Sequence, residues 1–432
     1  MLKRKFLDAL VQWKENKQQE CLLVKGARQI GKTYIIDYFG REHYRSYIYM
    51  NFIEMPKLKE IFMSDLSADE IYKRISLLLP ESRFLEHETL IFLDEIQACP
   101  EARTALKFLA LDNRYDVIAS GSLLGISYKE VDSIPVGYEK QITMYALDFE
   151  EYLWALGYTD EKIAILQDYF LLKEAVPPAV HEQMLKLLRE YMAVGGMPAV
   201  VNKFVETQHF GLVQQEQEKI LASYQEDVSK YASNTEKPKV KNCYFSIPKQ
   251  LAKENKKFQF SVVEKKGTAR KFENSIEWLR DANLVYLCYN VSTPAFPLAA
   301  YEKEDMYKLY LADIGLLIAM YGYDMKKAII DDTLTGAAKG GIYENLIADM
   351  LVKRGHNLNY FRSQNGETEI EFLITKEAQI IPVEVKANRG ATVSLNRILE
   401  QTQIPYGYKL ISGNVGVNDK KIVLPLYMAM FL

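Results

Sequence analysis

The run Gly26-Ala27-Arg28-Gln29-Ile30-Gly31-Lys32-Thr33 meets the pattern G-x-x-x-x-G-K-[ST] at every required position. A loop of this kind works only between a buried strand and the start of a helix. It therefore commits the surrounding chain to a parallel α/β sheet. The flanks comply: Cys21-Leu22-Leu23-Val24 reads as a buried strand, and Thr33 to Phe39 as the first turns of a helix. The glycines let successive N–H groups turn inward on phosphate oxygens, and the helix adds its positive N-terminal end. Lys32 is expected to reach the β- and γ-phosphates, and the Thr33 hydroxyl to bind Mg²⁺. The expected ligand is a nucleoside triphosphate, taken as ATP, with Mg²⁺.

A second strand must complete the metal shell. Leu90-Ile91-Phe92-Leu93 ends in Asp94-Glu95, which is how a strand delivers acids to the phosphate end of a parallel sheet. Asp94 is expected to hold Mg²⁺ through water, and Glu95 to orient or deprotonate the attacking water. A third short strand, Val117-Ile118-Ala119, ends in Ser120-Gly121-Ser122. Ser120 and Ser122 read equally as sensors of the γ-phosphate or as an ordinary strand-to-loop turn.

At 432 residues the chain has room for roughly two to four domains. A net charge of −3 gives no global basic field, so nucleic acid would have to be met by a local patch. The four cysteines and five histidines show no paired ligand spacing, which argues against a disulfide framework or a zinc site. The N-terminal stretch is an amphipathic helix with Phe6, Leu7, Leu10 and Trp13 inward. No run approaches the roughly 20 apolar residues of a membrane span. A cytoplasmic protein with no membrane partner is expected.

Four regions follow from the pattern. Residues 1–148 alternate strand and helix, with strands expected at Glu20–Val24, Ser46–Phe52, Thr89–Leu93, Val117–Ser120 and Gln141–Tyr145. Residues 149–235 turn helical, with a turn at Gly195-Gly196-Met197-Pro198, and the polar stretch Asn234–Lys239 reads as a boundary. Residues 236–325 read as two helices, one starting at Ile247 and one over Thr268–Asn283, followed by strands Val285–Val291 and Pro297–Tyr301. Helix, helix and hairpin is the layout of a winged helix. Its lysines, among them Lys256, Lys257, Lys265 and Lys266, read either as a DNA face or as a solvated surface.

Residues 326–432 hold a separate constellation. Glu344 lies on a helix closed by Gly355, and strands follow at Leu358–Phe361, Glu369–Ile374 and Ile380–Lys386. Alternation sends Ile370, Phe372 and Ile374 to one face and Glu369 and Glu371 to the other. Glu371, Glu384 and Lys386 are then expected to converge, with Glu344 approaching from the helix. Carboxylates that hold Mg²⁺ beside a lysine are what metal-dependent phosphodiester cleavage needs. The same residues also read as the charged outer face of a hairpin.

The chain resembles the prokaryotic AAA-type ATPases that join a P-loop module to a restriction-endonuclease-like C-terminal domain. The matching pieces are the loop Gly26–Thr33, Leu93-Asp94-Glu95-Ile96-Gln97, Ala119–Leu124, Phe149–Leu153, Gly195–Pro198, Tyr310–Leu317, Glu344-Asn345 and Glu384-Val385-Lys386. The resemblance implies an AAA core, a helical lid, a winged-helix-like middle and a nuclease-like end, and it leaves a homo-oligomer open. The chain departs from the pattern twice. Glu371 stands where the family's strand carries Asp, and its longer arm moves any bound ion. Tyr138 follows Gly137 where many relatives have arginine, and no arginine occurs between Arg114 and Arg189. An arginine finger supplies about 10³–10⁵ in rate, so slow hydrolysis and a switch, not a motor, are expected.

Three function classes are compatible with the sequence. One is an ATP-driven switch for a DNA-facing nuclease-like domain. Another is an ATP-dependent regulatory or scaffold protein whose nuclease-like fold is inert and binds a partner. The third, a small-molecule kinase, is disfavoured by Asp94-Glu95 and the sensor-like serines.

Overall fold

The computed structural model describes residues 2–121, 137–231, 235–386 and 392–432. The chain divides into two compact units, Arg4–Ala146 with Asp281–Asn283, and Met1–Lys3 with Leu147–Arg280 and Leu284–Leu432.

The first unit opens with helix α1 (Phe6–Asn16), which buries Phe6, Leu10 and Trp13. Then come β1 (Cys21–Lys25), α2 (Lys32–His43), β2 (Ser46–Asn51), α3 (Ala68–Leu78), β3 (Thr89–Asp94), α4 (Pro100–Asp112), β4 (Asp116–Ser120) and β5 (Glu139–Thr143). All five strands are parallel, in the order β2-β3-β4-β1-β5. The continuous apolar runs arise because β1, β3 and β4 are covered on both faces and buried at every position. Of the expected strands only the last is displaced by two residues, to an edge position beside β1. The order matters for chemistry. β4 lies between β1 and β3, so Ser120 at its end sits between the phosphate loop and Asp94.

The second unit begins with α5 (Phe149–Ala155), α6 (Asp160–Leu172), α7 (Pro178–Val194), α8 (Pro198–Thr207) and α9 (Phe210–Tyr231). Next are α10 (Lys237–Leu251), α11 (Phe260–Val263) and α12 (Ala269–Asp281), then the hairpin β6 (Val285–Val291) and β7 (Glu302–Leu311). The unit closes with α13 (Ile314–Tyr321), α14 (Tyr323–Ile330), α15 (Gly336–Lys353), β8 (Asn359–Arg362), β9 (Glu369–Lys376), β10 (Gln379–Val385), α16 (Val393–Leu399), β11 (Gly407–Ile411), β12 (Gly416–Asn418) and β13 (Lys421–Pro425). No helix among the described residues is long and apolar enough to cross a membrane. The four cysteines are free and buried.

Three local expectations need correction. Lys237–Lys239 is not a linker but the first turn of α10, with Pro238 where its missing N–H costs nothing. Ile247 therefore falls near the end of that helix, which continues through Pro248. Leu298–Tyr301 is a 3₁₀ turn, and the second hairpin strand begins only at Glu302. Helix, helix and hairpin do occur in that order, but β6 also pairs in parallel with β8 (Tyr289↔Asn359). The hairpin thus joins one eight-stranded sheet, β12-β13-β11-β10-β9-β8-β6-β7.

Candidate functional site

The phosphate loop is bent by left-handed backbone at Gln29 (φ 64°) and Gly31 (φ 91°). Gly26 needs its bare α-carbon, since a Cβ there would lie 2.3 Å from the Met144 carbonyl oxygen. Gly31 is the N-cap of α2 and no side chain caps the helix, so its first amides face the loop. Ile30 is buried, Ala27 and Arg28 are half-buried and Gln29 is exposed at the rim. Arg4, to which sequence reasoning gave no role, braces this loop. Its guanidinium donates to the carbonyls of Ile30 (3.1 Å) and Tyr145 (2.6 Å).

Lys32 Nζ donates to the carbonyls of Ala27 (2.7 Å) and Gly26 (3.0 Å). Burial pushes its pKa down to about 8, against the pull of Glu95 and Asp94. The Thr33 hydroxyl donates to Asp94 Oδ2 at 2.9 Å. Asp94 Oδ1 accepts from Ser120 Oγ and from the Glu95 amide (3.0 Å). Glu95 itself takes a left-handed conformation (φ 55°), and its carboxylate accepts from the Gln97 amide. Loop, hydroxyl, carboxylate and Ser120 therefore come together at one end of the sheet. Ser122 lies outside the described residues. A hydroxyl and a carboxylate in mutual contact below a lysine-bearing loop fit the oxygen donors that Mg²⁺ takes beside a triphosphate.

The C-terminal constellation is different in kind. Glu344 (α15), Glu371 (β9) and Glu384 (β10) are all buried, but ammonium groups stand against them. Glu344 pairs with Lys256 (3.0 Å) and Lys308 (3.3 Å) and accepts from the Tyr310 hydroxyl (3.1 Å). Lys308 also pairs with Glu369 at 2.8 Å. Glu371 pairs with Lys386 (2.9 Å) and accepts from the Val385 amide (3.2 Å), while Lys386 lies 3.8 Å from Glu384. Among the described residues no three His, Cys, Asp or Glu side chains gather as a metal-holding group. Each acid of the expected metal set Glu344, Glu371 and Glu384 lies instead against a lysine ammonium, which supplies the positive charge an ion would otherwise bring.

The titration behaviour divides accordingly. Burial opposes ionisation of Glu344, yet Lys308 and Lys256 outweigh it and hold the carboxyl below its ordinary range. Burial raises Glu371, with the charge of Glu344 adding and Lys386 opposing. Burial and Glu371 push Glu384 up to about 7.

Two sequence readings of this region change. A register shift opposite Asn359 and Phe361 gives β9 one extra residue between Ile370 and Leu373. Ile370 and Leu373 consequently share a core with Leu395, Ile398 and Leu399, while Phe372 meets Tyr310. Local alternation could not show this. Of the four lysines read as a DNA face, Lys256 is drawn into the Glu344 pair, and Lys257 is half-buried. Lys265 and Lys266 stay exposed. Asn345, quoted in the sequence only beside Glu344 and given no role there, bonds through its side-chain amide to both Leu311 N (2.7 Å) and Leu311 O (3.0 Å), closing the edge of β7.

Residues 18–153 match the model of an AAA domain. Residues 185–327 and 339–428 match two domains of unknown function, DUF8612 and DUF4143. No curated protein matches the chain. Similar solved structures include a Walker-type ATPase of Pyrococcus abyssi, with a TM-score of 0.44 and 13% identity over 74% of this chain and 96% of that one. The Orc1 protein of Aeropyrum pernix in complex with DNA scores 0.31 with 14% identity, over 77% of this chain and 93% of that one. AMPPCP-bound DnaA of Aquifex aeolicus scores 0.27 with 15% identity, over 63% and 86%. The stretch similar to an AAA domain carries the phosphate loop Gly26–Thr33 together with Asp94, Glu95 and Ser120.

Proposed function

We propose that this protein is an ATP-dependent switch. In this reading the AAA-type domain binds ATP with Mg²⁺ and hydrolyses it slowly, and its nucleotide state governs a DNA-associated, nuclease-like C-terminal domain. The observation that supports the ATPase half best is the 2.9 Å contact of Thr33 Oγ1 with Asp94 Oδ2 beside the half-buried Lys32. Mg²⁺, when bound, neutralises phosphate charge. Lys32 holds the phosphates, Ser120 senses the γ-phosphate through Asp94, and Glu95 takes the proton of the attacking water. No arginine lies between Arg114 and Arg189 to stabilise the charge that builds on the γ-phosphate, which favours slow turnover. Glu95→Gln should leave ATP binding unchanged and lower hydrolysis about a hundredfold or more, the scale of a general base. Hydrolysis by this variant at the wild-type rate overturns the assignment.

A second reading of the C-terminal domain, as an inert module that binds a partner, is favoured by the lysines set against Glu344 and Glu371. A nicking assay on duplex DNA with Mn²⁺ separates the two. Cleavage that Lys386→Ala removes, with the domain still folded, supports a nuclease. Absence of cleavage at any Mn²⁺ concentration supports the inert module.

A further inference from the structure

We propose that Asn51 and Tyr49, at the end of β2, are positioning residues that aim the Asp94 carboxylate at the metal and so set the Mg²⁺ dependence of nucleotide binding. The proposal rests on the nucleotide reading given above. Neither residue belongs to the phosphate-loop pattern or to the acidic strand end, and nothing in their spacing marks them.

Asn51 lies directly opposite Asp94 in the parallel pairing of β2 with β3. Parallel partners present their side chains on the same face of a sheet, which brings the amide to the carboxylate. The amide's orientation is fixed from behind. Asn51 Oδ1 accepts from the backbone amides of Ile53 (2.9 Å) and Glu54 (3.0 Å), so the carbonyl end is consumed and the NH₂ end must face forward. Nδ2 then donates to Asp94 Oδ2 (3.3 Å) and to the Tyr49 hydroxyl (3.1 Å). The Tyr49 hydroxyl donates in turn to Asp94 Oδ2 at 3.1 Å. Its ring is held against Phe92 (centroids 5.4 Å) and stacked on Tyr47 (6.4 Å).

Asp94 consequently accepts five hydrogen bonds: Oδ2 from Thr33, Tyr49 and Asn51, and Oδ1 from Ser120 and the Glu95 amide. A carboxylate offers about four lone-pair sites, so a cation can use Asp94 only if a donor yields. Thr33 is the one that can, because its hydroxyl would itself serve such an ion as an oxygen donor. Asn51 is locked by two backbone amides and Tyr49 by its ring neighbours, so these two stay. They keep the carboxylate from rotating away when Thr33 lets go. Partners of this kind, one step removed from a metal, typically account for about 10–100-fold in metal affinity.

The test is binding of a fluorescent N-methylanthraniloyl ATP, titrated with Mg²⁺ and repeated in EDTA. Tyr49→Phe removes one hydroxyl from a packed ring, and Asn51→Leu removes the amide. Each should raise the Mg²⁺ concentration for half-maximal effect about tenfold, while affinity in EDTA stays at the wild-type value. If Asn51→Leu does not fold, Tyr49→Phe alone decides. A Mg²⁺ midpoint within twofold of wild type overturns the proposal. So does an equal loss of affinity with and without Mg²⁺, which marks a merely structural role. Wild-type protein that binds no nucleotide in either condition removes the nucleotide reading and this proposal together.

Discussion

Lys32→Ala should abolish measurable ATP binding. The ammonium is the fixed cation of the loop, held between the carbonyls of Gly26 and Ala27 within reach of the phosphate path. Charge-assisted hydrogen bonds are worth about 1.5–3 kcal/mol each. Losing two of them, to the β- and γ-phosphates, weakens binding by roughly 3 kcal/mol or more, over a hundredfold in Kd. The pH dependence gives an independent check. Burial brings the Lys32 pKa down to about 8, so above that value the free protein carries a neutral amine. A triphosphate favours the protonated form, and binding must then take up a proton. Wild-type affinity should accordingly fall by up to about tenfold per pH unit above pH 8. Calorimetry in buffers of different ionisation enthalpy would read the proton uptake directly. Undiminished ATP binding by Lys32→Ala overturns the phosphate-loop assignment.

The parts of this site legible in sequence are those whose chemistry is written locally. Gly26 to Thr33 carries its own backbone instructions, and an apolar run that ends in Asp94-Glu95 states both the strand and its end. β1, β3 and β4 were readable because burial on both faces leaves an unbroken apolar signal. What was not legible depends on register across strands. Asn51 and Tyr49 matter only because β2 lies against β3 with Asn51 opposite Asp94, and no local pattern announces a neighbour. Arg4 reaches Ile30 and Tyr145 across the sequence in the same way. In the C-terminal region the order Glu344, Glu371, Glu384 and Lys386 was readable. The lysines Lys308 and Lys256 that compensate it were not, because each looks like an ordinary surface charge. The bulge in β9 defeated alternation outright: one extra residue exchanges the faces of Phe372 and Leu373. Pro238 and Pro248 in α10 show the converse error, in which a strong local breaker is tolerated by position or by packing.

Gly196→Ala should be among the most destabilising single substitutions in the second unit. Gly195-Gly196-Met197-Pro198 links α7 to α8, and a Cβ on Gly196 would lie 2.0 Å from Leu147 O and 2.8 Å from Leu147 N. Both are backbone atoms, so no rotamer relieves the clash. The backbone of Leu147 cannot retreat freely either. Its amide donates to Gly196 O (2.8 Å), and its carbonyl accepts from the Tyr191 hydroxyl (2.9 Å) and from Lys353 Nζ (3.1 Å). Lys353 is itself paired with the fully buried Asp349 at 2.8 Å, whose pKa burial raises to about 6 against the Lys353 charge. On the other side Gly196 N donates to Asp313 Oδ2 (2.7 Å), the residue that also caps α13 through Leu316 N (2.8 Å). Moving Leu147 enough to admit a methyl group would stretch several of these bonds at once, at about 1 kcal/mol each, beyond an overpacking cost of about 1–3 kcal/mol. A loss of about 3 kcal/mol or more is expected, read as a lower urea midpoint by circular dichroism. Gly340→Ala provides the contrast. Gly340 lies inside α15, where the nearest atom to an added Cβ is Lys256 Nζ at 3.8 Å. That substitution should be neutral or stabilising by about 0.5–1 kcal/mol through helix propensity. Equal midpoints for the two variants would mean that the Leu147 clamp is softer than its hydrogen bonds imply, and that the shape of this turn has no energetic basis in the contact with Gly196.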